Sequence, residues 1–166
     1  SYSPDSALTN PAGMVWMEER AMTLGLMGLF PSIEFDPDIA EAGGSDGGNA
    51  GGTAIVPSMF ASRRFSDRWA IGVGLFAPQG GGVDYGSDFA GRYGATKVEL
   101  LAFGLTTALG YRVTDRLSLG AGATIMQTTL NQNIAINLPN APDGIAKVKD
   151  AKDWGVQPYA GLQYHF

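Results

Sequence analysis

The chain has 166 residues, 45% of them hydrophobic, a formal net charge of -5 and no cysteine. That size suits one domain and the hydrophobic content excludes disorder; the acidic balance with scattered Lys and Arg excludes a nucleic-acid partner, and the missing cysteine excludes disulfides, thiol catalysis and cysteine-bound metal. No apolar run reaches the roughly 18 to 20 residues of a transmembrane helix, so any membrane embedding has to be by strands.

Residues 1–19 keep neither a helical nor a two-residue period, and Asn10-Pro11-Ala12-Gly13 is a turn signal. They are expected to form an irregular or short-helical lead-in, and no signal peptide is visible in the first residues. Residues 20–30 alternate, with Met22, Leu24, Leu26 and Phe30 on one face and Thr23, Gly25, Met27 and Leu29 on the other. A glycine-rich acidic loop over residues 31–52 follows. Its carboxylates are read as solvated, because their spacing matches no EF-hand calcium loop.

The second strand, residues 53–65, alternates poorly, and Pro57 predicts a bulge or local irregularity there. After a turn at Ser66-Asp67, Trp69, Ile71, Val73 and Leu75 alternate with Ala70, Gly72, Gly74 and Phe76. This third strand is expected to end in Ala77-Pro78-Gln79-Gly80-Gly81-Gly82, since proline has no donor and three glycines have little conformational preference. A long loop over residues 78–96 carries Tyr85, Asp88, Phe89 and Gly91-Arg92-Tyr93-Gly94.

The clearest pattern runs over residues 97–125 as two strands joined at Thr114-Asp115. Leu101, Phe103, Leu105, Leu109, Leu117, Leu119 and Ile125 share one face, and Ala102, Gly104, Thr106, Ala108, Gly110, Gly120 and Gly122 share the other. A third long loop is expected over residues 131–153, and a sixth strand from Trp154 to Phe166.

A soluble sandwich would put charged side chains opposite its apolar face. A bulky apolar face opposite a small one suits lipid outside and a lumen or plug inside. The fold expected is therefore all-β, an antiparallel transmembrane β-barrel with about six strands here over residues 20–166. Connections alternate long and short, as in outer-membrane barrels. The turns Ser66-Asp67-Arg68-Trp69 and Thr114-Asp115-Arg116-Leu117 repeat, and Trp69, Tyr111, Trp154, Tyr164 and Phe166 sit near strand ends, where interfacial aromatics belong. A soluble lipocalin-like carrier, with apolar residues inward, is the alternative.

No catalytic constellation is found, so the chain is not expected to be an enzyme, and neither cofactor nor metal is implied. The one histidine, His165, reads as a wall residue near the rim. On the inward face, Met27, Leu29, Phe76, Val98, Leu100 and Met126 make the upper lumen apolar and are the candidate ligand-binding residues. Below them Gly25, Gly72, Gly74, Gly104, Thr106, Ala108, Gly120 and Gly122 leave a hollow that needs a filler, for which residues 1–19 are the candidate. Simple packing within a small barrel core is the competing reading of the same residues.

The chain also resembles the outer-membrane long-chain fatty acid transporters of the FadL/TodX type. The resemblance rests on Asn10-Pro11-Ala12-Gly13-Met14, on Trp69-Ala70-Ile71-Gly72-Val73-Gly74-Leu75-Phe76-Ala77-Pro78, on Phe89-Ala90-Gly91-Arg92-Tyr93, and on the run from Leu109 to Gly122. It implies an integral bacterial-type outer-membrane protein: a fourteen-stranded barrel with an amino-terminal hatch, taking up hydrophobic molecules by diffusion through a lateral opening beside a kinked third strand. Carried over by position, Asn10, Pro11 and Ala12 belong to the hatch, and Pro78, Gly80, Gly81 and Gly82 to the kink; an ordinary proline-glycine loop is the alternative for the latter. The start of the hatch is missing, six strands fall short of fourteen, and residues 131–153 are short for the family's ligand-capturing loop. A fragment of a longer barrel is expected, although the aromatic Phe166 also looks like a natural barrel end. The implied partners are membrane lipid and a fatty acid or other hydrophobic small molecule. A structural or lipid-binding barrel without transport is the remaining alternative.

Overall fold

The structure is a computed structural model that describes residues 3–36 and 43–166. A short helix α1 (Ser6–Thr9) and a 3-10 helix (Pro11–Trp16) precede six strands, β1 (Arg20–Leu29), β2 (Ala54–Arg64), β3 (Trp69–Asp84), β4 (Lys97–Arg112), β5 (Leu117–Ile136) and β6 (Gly144–Tyr164). The strands form one antiparallel sheet in sequence order. Among the described residues, β1 and β6 each pair on one side only.

Register sets the two faces. The pairs Phe60↔Gly74, Gly72↔Ala108, Thr106↔Thr124 and Gly122↔Tyr159 lie on one face, with Ala70, Ala102, Thr106 and Ser118 all buried there. The pairs Leu75↔Leu105, Leu105↔Ile125 and Ile125↔Val156 lie on the other, where every one of these side chains is exposed. A water-soluble sheet does not leave such a continuous apolar face open; a barrel wall facing hydrocarbon does.

The apolar band has edges. On β4 it runs from Tyr111 up to Leu101, about the 9 to 11 residues that span a bilayer as a tilted strand. Trp69 packs on Tyr111 with ring centroids 4.5 Å apart, and Tyr164 meets Phe166 at 5.2 Å, at the short-turn end. Trp154 closes the band at the other end, opposite Gln127, with Lys152 and Thr129 next above it.

Two expectations are corrected. Residues 131–153 are no loop: β5 continues to Ile136 and β6 starts at Gly144, leaving residues 137–143 as the turn. Above Trp154 both faces carry polar side chains such as Gln132, Asn133, Lys147 and Asp153, so the two-residue hydrophobic period fades although the ladder persists. Nor does β3 end at Pro78. It reaches Asp84, and pairing with β4 shifts register between Phe76 and Gln79 before running on from Gln79↔Ala102 to Asp84↔Lys97. Ala77-Pro78 is thus a bulge, and the loop that follows covers residues 85–96. At Pro57 the register with β1 runs unbroken through Leu26↔Pro57, and the expected irregularity lies on the other edge of β2, whose ladder with β3 stops at Met59↔Leu75.

Leu105 lies outward in mid-band and Gln127 outward at its edge. Leu105→Arg should therefore cost about 2 to 4 kcal/mol and Gln127→Arg about 0 to 1 kcal/mol on the depth scale for cationic side chains on a lipid face. Equilibrium unfolding of the barrel from detergent or lipid checks this. Equal costs at the two positions would remove the assignment of that face to lipid.

Candidate functional site

On the inward face, aromatic rings lie over glycines of the next strand. Phe60 covers its register partner Gly74, and Phe76 covers Gly104, where an added Cβ would come within 2.8 Å of the ring. Tyr159 covers Gly122 in the same way. Glycine is required at these positions because the neighbouring strand's ring occupies the space a side chain would take. Phe60 and Phe76 stack with centroids 6.0 Å apart, and Phe60 and Val56 are buried. The six candidate residues Met27, Leu29, Phe76, Val98, Leu100 and Met126 all fall on this face by register: Met27↔Val56, Phe76↔Gly104↔Met126 and Leu100↔Leu130. Phe60 and Val56 share this apolar upper face but were not singled out from the sequence.

The lower part of this face is occupied. Residues 3–17 lie against it, with Ala7, Pro11, Ala12, Met14 and Val15 all buried. The glycines receive them: a Cβ on Gly110 would stand 2.7 Å from the Pro11 carbonyl oxygen, and one on Gly120 or Gly161 would strike Pro11 or Asn10. Asn10 and Pro11 begin the 3-10 helix for identifiable reasons. The Asn10 side-chain oxygen accepts from the Ala12 N–H at 3.2 Å, and Pro11 sits at the first position, where its missing N–H has no partner to lose.

Polar contacts fasten the segment. Arg112 donates from Nη2 to the Val15 carbonyl at 2.9 Å and lies over the Trp16 ring at 4.2 Å. Trp16 donates from Nε1 to Ser118 Oγ, and Ser118 donates to the Ala12 carbonyl at 2.8 Å. Tyr159 donates to the Ala7 carbonyl and meets Thr106, to which Thr124 donates. His165, read as a wall residue near the rim, packs on Trp16 with ring centroids 4.4 Å apart.

A second feature lies between β2 and β3. Their ladder runs only from Arg64↔Ala70 to Met59↔Leu75. Beyond it β2 continues to Ala54 and β3 to Asp84 without pairing, until the isolated bridge Gly51↔Val83. The result is a window in the wall. Pro57 borders it on one strand and Pro78 on the other, and neither has an N–H to offer across the gap. A cleft of about 740 Å³ sits at its lower edge, lined from the outward face by Pro57, Met59, Leu75 and Phe103 and from the inward face by Gly25, Ser58, Phe76 and Gly104. Gly80, Gly81 and Gly82 line smaller clefts above it.

The loops above the window are tied together at Arg92. Its Nε donates to Asp143 Oδ2 at 2.8 Å and its Nη1 to the Gly43 carbonyl at 2.9 Å, while Tyr93 donates its hydroxyl to Asp143 at 3.0 Å. Hydrogen bonding from Arg92, then from Tyr93, holds the Asp143 carboxyl below the usual carboxylate range, against a smaller opposing effect of burial. The acidic loop read as solvated lies partly outside the described residues. Among the described residues no group of three His, Cys, Asp or Glu side chains is placed to hold a metal.

The profile of the outer membrane protein transport proteins (OMPP1/FadL/TodX) matches residues 2–165. The chain belongs to this family. Outer membrane protein P1 of Haemophilus influenzae is 26% identical over 95% of this chain and 44% of its own length. A FadL homologue of Pseudomonas aeruginosa superposes with a TM-score of 0.78 at 25% identity, over 97% of this chain and 44% of that one. The toluene transporter TodX of Pseudomonas putida shares the fold, with a TM-score of 0.64 at 16% identity over 99% and 48%. The chain thus spans about half the length of these relatives, and its sheet has the fold of a FadL/TodX-type outer-membrane barrel wall.

In this FadL/TodX-type wall the seat of residues 3–17 leaves no room for a side chain at Gly120. Gly120→Val should expose the segment, and limited proteolysis of the folded protein should then cut near Asn10 while the strands stay intact. An unchanged cleavage pattern would mean that the segment is held elsewhere.

The depressed Asp143 carboxyl makes a second prediction. Its bond to Arg92 supports the loops at pH values above the ordinary carboxylate range and loses that effect as pH falls through the lowered value, where Asp143 becomes protonated. The Ala135 amide, which donates to the Arg92 carbonyl at 2.9 Å, reports on this. Its hydrogen-exchange protection should drop on acidification, and Asp143→Asn should remove that dependence.

Proposed function

We propose that this chain forms the amino-terminal wall of a channel for passive uptake of long-chain fatty acids or other hydrophobic compounds, and that the cargo leaves sideways through the window between β2 and β3. The observation that carries this reading is the cleft at the window, which residues of both faces of the wall line together at the point where the ladder stops. An apolar solute held against Phe76, Met126 and Leu100 would reach the lipid-facing surface there without crossing a polar layer. No catalytic step enters this reading.

In this account residues 1–19 act as the hatch, with Asn10, Pro11 and Ala12 at its docked edge, and close the short-turn end to water-soluble traffic. Met27, Leu29, Phe76, Val98, Leu100 and Met126 hold the cargo by burial of apolar area. Pro78, Gly80, Gly81 and Gly82 keep the third strand from pairing with β2. The FadL homologue and the toluene transporter that this chain resembles support the class of cargo, hydrophobic and small enough to diffuse.

The test fills the window from its β3 side. Gly81 has open space around it, and at Gly80 a Cβ would meet nothing nearer than Leu101 at 3.7 Å, whereas at Gly82 it would press on the Val98 carbonyl at 2.8 Å. Gly80→Val with Gly81→Val therefore leaves the fold intact while favouring a regular strand. Uptake of a labelled fatty acid into vesicles holding the full-length protein should fall severalfold. Unchanged uptake by the folded variant would remove the lateral exit, and absence of uptake by the parent protein would favour a wall without a through-path.

A further inference from the structure

The window has an upper rim as well as a lower one. The rim is residues 50–52, where Gly52 donates to the Gly82 carbonyl at 3.1 Å and Asp84 donates to the Ala50 carbonyl at 2.9 Å. These residues belong to no strand: two bonds tie them to β3 and the Ala50 N–H bonds the Ile33 carbonyl at 2.9 Å, too few to hold a backbone firmly. Their position depends on what fastens the loop they end.

That loop is anchored at two places. Near the rim, the Asn49 side-chain oxygen accepts from Ile33 and from Gly51, both at 3.0 Å. At its far side, Ser45 donates to the Asp88 carbonyl at 2.7 Å and accepts from Ala90 at 2.8 Å, which docks the loop on residues 85–96. Arg92 completes this second anchor. It bonds the Gly43 and Phe89 carbonyls with one nitrogen and Asp143 with another, and its own carbonyl is fixed by the Ala135 N–H. Gly44 has φ +113, and a Cβ there would strike the Asp88 carbonyl and come within 3.2 Å of the Ala90 N and Arg92 Nη1, so glycine is what lets the loop come this close to residues 88–92. The ion pair is partly shielded, with the Arg92 side chain 15% and the Asp143 side chain 31% exposed, so it is not the freely solvated kind that contributes little. One guanidinium therefore joins the loop that ends in the rim to the tip of the β5–β6 hairpin.

We propose that the clasp of Arg92, Tyr93 and Asp143 fixes the upper rim of the window and so sets the size of hydrophobic molecule that passes it, with Arg92 as the positioning residue. This rests on the reading of the window as an exit. The fork of the guanidinium is what the role needs, because two carbonyls and a carboxylate have to be held in fixed directions at once, and lysine carries a single nitrogen.

The experiment uses full-length protein in lipid vesicles and two probes: a small monoaromatic hydrocarbon and a long-chain fatty acid carrying a bulky fluorophore. Arg92→Gln should raise the rate for the bulky probe relative to the small one severalfold. Asp143→Asn should raise the ratio less, because the bonds of Arg92 to Gly43 and Phe89 remain, and Arg92→Lys should resemble Arg92→Gln. An unchanged ratio in folded Arg92→Gln overturns the proposal, and so does an equal fall for both probes, which is what mere loss of loop support would give. Gly81→Phe narrows the same window from the opposite strand. If it slows the bulky probe while Arg92→Gln leaves the ratio alone, the exit stands and only the clasp is lost; if it leaves both probes unaffected, the exit itself fails.

Discussion

Close approach of one backbone to another, across glycines, is the constraint on which the rest of this structure depends. The 3-10 helix at Pro11–Trp16 touches β4, β5 and β6 through Gly110, Gly120 and Gly161, where any side chain would occupy the place of Pro11 or Asn10. Because the contact is backbone to backbone, it is satisfied by few and specific polar bonds: Arg112 to Val15, Ser118 to Ala12, Tyr159 to Ala7. A larger inner face would have pushed the segment away and left those carbonyls to water. Glycine serves the wall differently higher up, where Gly74 and Gly104 are covered by Phe60 and Phe76 and the lumen becomes apolar without becoming narrow at the strand itself.

The same economy of side chains lets the wall open at one place along its described ladders. A strand in hydrocarbon has to satisfy its backbone groups, since no water is present to do so. β3 keeps its ladder with β4 throughout, apart from the bulge at Ala77-Pro78, so one edge of it is always paired. On the other edge, Pro57 and Pro78 reduce the number of donors facing the gap, and the three glycines bring no bulk into it. The opening is bounded below by Met59↔Leu75 and above by Gly51↔Val83, and the loops that supply the upper bound are organised around a single guanidinium. Lumen, window and loops are therefore one connected arrangement, with the apolar cleft at its centre.

Much of this was legible from the residues in order. Alternation of Leu101, Phe103, Leu105 and Leu109 with Ala102, Gly104, Thr106 and Ala108 determined the strands, the facing and the barrel class, because a bulky apolar face backed by small side chains suits hydrocarbon on one side and a filled lumen on the other. It also determined the apolar inward set and, through Asn10-Pro11-Ala12 and Pro78 to Gly82, where the unusual backbone would be. What the sequence could not decide is whatever depends on partners distant along the chain. Polar side chains on both faces of residues 131–153 hid a ladder that only cross-strand pairing reveals. A proline followed by glycines marked an irregularity, yet whether the strand stops or bulges depended on β4 holding one edge while β2 released the other. The rings over Gly74, Gly104 and Gly122, the seat of Trp16 between Arg112 and His165, and the meeting of Arg92 with Asp143 join residues far apart along the chain, and only the folded sheet brings their short-range forces into play.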